Sequence, residues 1–72
     1  MPHKYPLLTP DELIRALRQY GFEFVSQRGS HCKYSDGKHV IIIPMHDIIA
    51  RGTLRSILQM AGITLQQLLE VL

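Results

Sequence analysis

The sequence predicts an α+β domain in which a three-stranded antiparallel sheet carries helices on one face. The order is α-β-β-β-α, followed by a short extra C-terminal helix. Capping boxes at Thr9 and Thr64 mark two helix starts. The segment between the first helix and Pro44 carries strand-like alternation and apolar runs. The pair Asp36-Gly37 divides this segment as a tight hairpin turn does, so neighbouring strands are expected to be antiparallel.

Length and composition indicate one domain over residues 1–72. A chain of 72 residues buries only about 60% of the surface of its unfolded form, so its stability depends on one compact core. The hydrophobic share of 46% argues against disorder, and a single cysteine excludes an internal disulfide. No apolar run approaches the ~20 residues of a membrane span, and the first residues lack the apolar core of a signal peptide. We therefore expect a soluble, cytoplasmic protein with no membrane contact.

The charge balance is mildly basic. The formal net charge is +2, the sequence pI is about 9.0, and neither Lys nor Arg occurs after Arg55. This distribution suits a polyanion such as RNA, although many ordinary small domains are equally basic. Charge alone therefore indicates a partner class only weakly.

Residues 1–8 are predicted to be an extended lead-in to the first helix. Thr9 is the expected N-cap, and Glu12 completes its capping box three residues later. Gly21 adopts a positive φ without strain and is a good stop signal. The first helix is therefore predicted over residues 10–20.

The first strand is predicted from Phe22 to Gln27. Phe22 and Phe24 alternate with polar residues, so both are expected on one packed side, with Glu23 and Gln27 on the other. The strand then turns at Arg28-Gly29-Ser30.

The Asp36-Gly37 pair predicts a two-residue type I′ turn between the second and third strands. Pro44 cannot donate a ladder hydrogen bond and is expected to end the third strand, which begins at Lys38. The turn implies the pairs Ser35 with Lys38, Lys33 with Val40, and His31 with Ile42.

This hairpin assigns side chains to two faces of the sheet. One face, called the open face below, carries His31, Lys33, Val40 and Ile42, and the other carries Cys32, Tyr34, His39, Ile41 and Ile43. The helices are expected on the second face, because burying Lys33 would be costly. Val40 and Ile42 would then form an exposed apolar strip, a candidate partner-binding surface. A third strand buried on both faces is the alternative.

The C-terminal part is predicted to be helical. Residues 45–51 form a connecting loop, and Gly52-Thr53 begins a helix that Gly62 ends. A capping box of Thr64 and Gln67 starts the short last helix.

His31 is the leading candidate for chemistry. Histidine exchanges protons near physiological pH, and RNA cleavage needs a base for the 2′-OH and an acid for the leaving oxygen, with no obligatory metal. Gly29 permits a close backbone approach to RNA. The hydroxyl of Ser30 either assists His31 or only caps the end of the strand. A lone surface histidine is, however, usually just solvated.

Other polar residues surround this candidate. His46 follows the third strand and is either a second proton-transfer group or a loop cap. Arg28, Lys33 and Lys38 are candidate phosphate contacts. Tyr34 can stack on a base, but its predicted face favours core packing.

Metal and cofactor chemistry are not expected. His31, Cys32, His39 and His46 match no standard zinc spacing, and Cys32 and His39 are predicted on the opposite face from His31. The sequence also has no phosphate-binding loop and no nucleophile elbow.

Taken together, these segments resemble the HicA family of small toxin ribonucleases, the partners of HicB antitoxins. The likeness spans nearly the whole chain in the family's order. It is carried by Thr9-Pro10-Asp11-Glu12, Gly21-Phe22, Gly29-Ser30-His31 with Tyr34, Val40 to Ile43 with Pro44-Met45-His46, Gly52-Thr53-Leu54-Arg55-Ser56-Ile57-Leu58, and Ala61-Gly62.

The resemblance implies a fold similar to double-stranded RNA-binding domains and endonucleolytic cleavage of mRNA that arrests growth. It implies that His31 is the essential residue and that a HicB-like antitoxin covers the site. The likeness does not identify the second proton-transfer group. A non-catalytic RNA-binding module and a purely protein-binding module are the alternative functions.

Overall fold

The computed structural model describes residues 4–72, so residues 1–3 of the predicted lead-in lie outside the described part. The elements are α1 (Pro10–Arg18), β1 (Glu23–Arg28), β2 (His31–Ser35), β3 (Val40–Pro44), α2 (Arg51–Ala61) and α3 (Leu65–Glu70). The strands form one antiparallel sheet in the order β1-β2-β3. The predicted α+β fold class, with its short extra C-terminal helix, is confirmed.

Both predicted capping boxes are present. The backbone N–H of Glu12 donates to Thr9 Oγ1 (3.2 Å), and the N–H of Thr9 donates to Glu12 Oε1 (2.8 Å). Thr64 and Gln67 exchange the equivalent bonds at 3.0 and 2.8 Å. These bonds satisfy N–H groups that have no partner within the helix, so each helix begins where its cap dictates.

The remaining helix boundaries differ slightly from the predictions. α1 ends at Arg18, two residues before the predicted end, and α2 begins at Arg51, one residue early. No helix among residues 4–72 has the length and apolar character to cross a membrane.

The helices cover one face of the sheet, as predicted. Cys32, Ile41 and Ile43 are buried on that face, whereas the open-face residues of β2 and β3 are exposed. The largest fully buried side chains are Phe22, Leu13, Leu17, Ile41, Ile43, Ile49, Leu54 and Leu68. The alternative of a third strand buried on both faces is therefore wrong.

The predicted register of the β2–β3 hairpin is wrong by two residues. The connection is a four-residue loop, 36–39, and the ladder pairs are Ser35 with Val40, Lys33 with Ile42, and His31 with Pro44. Because side chains alternate with a period of two, this shift leaves the side chains of β2 and β3 on their predicted faces, whereas His39 lies in the loop.

The side chain of Asp36 explains the longer loop. Asp36 Oδ1 accepts the backbone N–H groups of Lys38 (2.9 Å) and His39 (2.6 Å), while Oδ2 lies 3.0 Å from His39 Nδ1. The N–H of Asp36 donates to the carbonyl of His39 (3.3 Å). These contacts close the loop at His39 instead of at Lys38.

The predicted faces of β1 are also only partly correct. Phe22 is buried, but Phe24 is 56% exposed at the sheet edge, where it packs edge-on against the half-buried Tyr34 (ring centroids 5.8 Å apart). The register shifts between Phe24 and Ser26, so Val25 forms a β-bulge. Gln27 therefore pairs with Cys32 on the helix-covered face, contrary to the prediction.

Candidate functional site

The turn between β1 and β2 positions His31. Arg28 and His31 pair across it, which leaves Gly29-Ser30 as a two-residue loop. Gly29 has φ 59° in the first loop position, as a type II′ hairpin turn requires. The backbone N–H of Met45 donates to the carbonyl of Ser30 (2.6 Å), so the turn is also attached to the residue after β3.

All three strands contribute to a concave surface on the open face. This open-face depression has a volume of about 420 Å³ and is lined by Ser26, Arg28, His31, Lys33 and Ile42. Cross-strand partners share a face, so the pair Arg28–His31 and the row Ser26–Lys33–Ile42 present their side chains together. Residues from three separate segments thereby form one surface.

The charge of the depression favours an anion. Its lining residues include two cations, Arg28 and Lys33, beside one imidazole and no carboxylate. Among the side-chain hydrogen bonds of residues 4–72, none involves the His31 imidazole. His31 is also exposed to solvent, so its ring is available to an incoming group.

Four of the predicted site residues line the depression, namely Arg28, His31, Lys33 and Ile42, and the others lie outside its lining. Gly29 and Ser30 occupy the adjoining turn, whereas Lys38 is exposed in the loop at the opposite end of β2. Val40 is exposed on the open face next to Ser35. The side chain of His46 is 63% exposed, and its Nδ1 lies 3.6 Å from Asp47 Oδ2.

Tyr34 and His39, the candidates predicted on the helix-covered face, are held by contacts within the fold. Tyr34 packs against the core, and burial raises the pKa of its hydroxyl above the usual value. His39 is held by Asp36 and lies beside Gly62, at the end of α2. These positions agree with the prediction that both side chains face away from His31.

Ser26 is the lining residue that sequence reasoning missed. Alternation counted forward from Phe22 places Ser26 on the packed side, and the bulge at Val25 reverses that assignment. Alternation counted from the other end of the strand does predict the position of Ser26. Counted back from the Gly29-Ser30 turn, Ser26 falls on the same face as Arg28 and His31.

Within the described range, 4–72, no three His, Cys, Asp or Glu side chains lie close enough together to hold a metal ion. Cys32 is buried on the helix-covered face, one residue from His31 and on the other side of the sheet.

Comparison with known proteins identifies the family. A family model described as HicA toxin of bacterial toxin-antitoxin matches residues 10–63, which include α1, the whole sheet and α2. A search of curated proteins finds no match to the chain. The matched range covers three-quarters of the sequence and contains the complete open-face depression, and the chain therefore belongs to the HicA family of toxins.

Proposed function

We propose that this toxin is an endoribonuclease that cleaves mRNA without a metal ion and arrests growth, with His31 as a general acid/base. The observation that carries the proposal is the unengaged His31 imidazole beside two cations on the open face. An mRNA substrate would place the toxin in the cytoplasm, with residues 1–72 acting as one domain. Family membership supports the toxin role, and the depression supports the chemistry.

The depression offers the groups that metal-free RNA cleavage needs. Arg28 and Lys33 would hold a phosphodiester, with the guanidinium able to donate two parallel hydrogen bonds to it. His31 would take the proton from the neighbouring 2′-OH, whose oxygen then attacks phosphorus. The products would be a 2′,3′-cyclic phosphate and a 5′-hydroxyl end. Ser30, His46, Gly29 and Lys38 are proposed to assist or to contact RNA farther from the reacting phosphate.

Replacing His31 tests the catalytic role. His31→Ala should lower the single-turnover cleavage rate of purified toxin by about 10²- to 10⁴-fold and abolish growth arrest on induction. Wild-type cleavage should survive EDTA, leave 5′-hydroxyl ends, and stop when a single 2′-deoxynucleotide replaces the one at the cleaved bond.

Gln59→Ala, at an exposed position on α2, is the control for folding and expression. Equal cleavage and equal toxicity of wild type and His31→Ala would contradict the catalytic role. Wild-type protein that binds RNA but never shortens it would favour the alternative, a non-catalytic RNA-binding module.

We also propose that a HicB-like antitoxin covers the open face. Val40 and Ile42 are 47% and 45% exposed there, and Ile42 lines the depression itself. A partner seated on these two side chains would bury apolar surface and exclude RNA at the same time.

Placing a charge on this face tests the contact. Ile42→Asp should weaken antitoxin binding by at least about tenfold in titration calorimetry. The reason is that burying an unpaired carboxylate costs more free energy than a tenfold loss of affinity represents. Ile48→Asp is the matched control, since Ile48 is 56% exposed and lies in the segment after β3. Equal affinities of the two variants would exclude docking on Ile42.

A further inference from the structure

Lys33 occupies the middle of the open-face depression. It lies on the central strand β2 and pairs with Ser26 on one side and Ile42 on the other. The ion pairs found among residues 4–72 join His39 to Asp36 and His46 to Asp47, and no carboxylate lines the depression. The ammonium group is therefore exposed and uncompensated beside a hydroxyl and an apolar side chain.

Of the groups that line the depression, Lys33 is the best proton donor to pair with His31. Arg28 is unsuited because a guanidinium stays protonated in proteins. A serine hydroxyl is about as weak an acid as the alcohol that must leave, so Ser26 gives no driving force. His46 lies outside the lining.

The spacing of His31 and Lys33 fits in-line displacement. They are alternate residues on one face of β2, so their Cα atoms lie about 7 Å apart. The attacking 2′-oxygen and the leaving 5′-oxygen occupy opposite sides of phosphorus. Two long side chains rooted at this spacing can reach the two oxygens of one phosphate from opposite sides.

We propose that Lys33 is the general acid of the reaction; this inference rests on the proposed ribonuclease function. His31 takes the proton of the 2′-OH, and the oxygen forms a bond to phosphorus. The bond from phosphorus to the 5′-oxygen breaks, and that oxygen receives a proton from Nζ of Lys33. Afterwards the neutral amine regains a proton from water and the imidazolium releases one, which restores both groups.

A sulfur substitution separates the two roles. In RNA with a 5′-bridging phosphorothiolate at the cleaved bond, the leaving thiolate needs no proton. Lys33→Met should cleave ordinary RNA about 10²- to 10⁴-fold more slowly than wild type, and the sulfur substrate at a rate within about tenfold of wild type. His31→Ala should stay slow on both substrates. Lys4→Met, at an exposed position in the N-terminal segment, should match wild type on both.

Lys33→Arg is the control that distinguishes loss of the proton donor from loss of RNA binding. It keeps the positive charge, so its RNA affinity should stay near that of wild type while its cleavage of ordinary RNA falls and recovers with the sulfur substrate. If Lys33→Met slows the cleavage of both substrates equally, the assignment is overturned. It is also overturned if the sulfur substrate restores the cleavage rate of His46→Ala and not that of Lys33→Met. If wild type cleaves neither substrate, the proposed function itself fails.

Discussion

At the scale of single residues, Gly62 joins two distant parts of the fold. It ends α2 in the left-handed conformation, with φ 70°. A Cβ added to it would lie 2.8 Å from Nε2 of His39, which belongs to the β2–β3 loop. The glycine thus permits both the helix stop and the close approach of the imidazole ring.

We expect Gly62→Ala to destabilise the protein. The left-handed backbone alone costs a residue with a Cβ about 1–2 kcal/mol, and displacement of the His39 ring adds to this cost. Gly52→Ala is the matched control, because Gly52 lies in α2 with nothing within 4 Å of the added Cβ. That change should stabilise the fold by about 0.4–1 kcal/mol. Chemical denaturation of both variants checks the prediction, and equal stabilities would contradict it.

At the scale of elements, the loop of residues 36–39 depends on one carboxylate. The backbone N–H of His39 holds the pKa of Asp36 well below its usual range, with further contributions from the His39 ring and the N–H of Lys38. Folding therefore favours the ionised carboxylate. This contribution to stability is complete above about pH 4, the pKa range of an aspartate in an unfolded chain, and is lost as the pH falls further towards the folded-state pKa.

Asp36→Asn should remove that pH dependence. At neutral pH the variant should unfold at a lower temperature than wild type, since a neutral amide oxygen is a weaker acceptor than a carboxylate. Below about pH 4 the wild type should lose stability more steeply, so the difference between the two proteins narrows. Thermal unfolding followed by circular dichroism between about pH 2 and 7 measures this. A difference that is constant over that range would be inconsistent with the ionised carboxylate as the cause.

At the scale of the whole molecule, the residues that stabilise the fold and those of the proposed site lie on opposite faces of the sheet. One face is covered by the helices and carries buried residues such as Ile41 and Ile43. The opposite face carries the depression and its cations. Substitutions at the open face should therefore change RNA binding with little effect on folding.

The salt dependence of RNA affinity tests this division. Log affinity falls linearly with log salt, and each phosphate contact that is lost decreases the steepness of this fall by about 0.7 for single-stranded RNA. Arg28→Gln should show this decrease, measured by fluorescence anisotropy in a His31→Ala background that prevents cleavage. Arg55→Gln, on the exposed side of α2, should keep the original slope. Identical slopes for both variants would argue against a phosphate contact at Arg28.

Local signals in the sequence determined much of the fold. A capping box acts within four residues, so the starts of α1 and α3 could be predicted at Thr9 and Thr64. Alternation with a period of two assigned the faces of β2 and β3 correctly, because a register error of two residues does not change a face. His31 and Lys33 were therefore placed on the same exposed surface from the sequence.

The tertiary structure alone decided how β1 completes that surface. Strict alternation from the buried Phe22 places Ser26 on the helix-covered face, whereas alternation from the Gly29-Ser30 turn places it on the open face. The extra residue of the bulge at Val25 makes both ends of the strand compatible. Ser26 consequently joins the depression. The four-residue loop, in contrast, is closed by local hydrogen bonds that Asp36 accepts from Lys38 and His39, although an Asp-Gly pair is typical of a two-residue turn. The face on which Ser26 lies depends on non-local packing, and a pattern within one segment does not contain it.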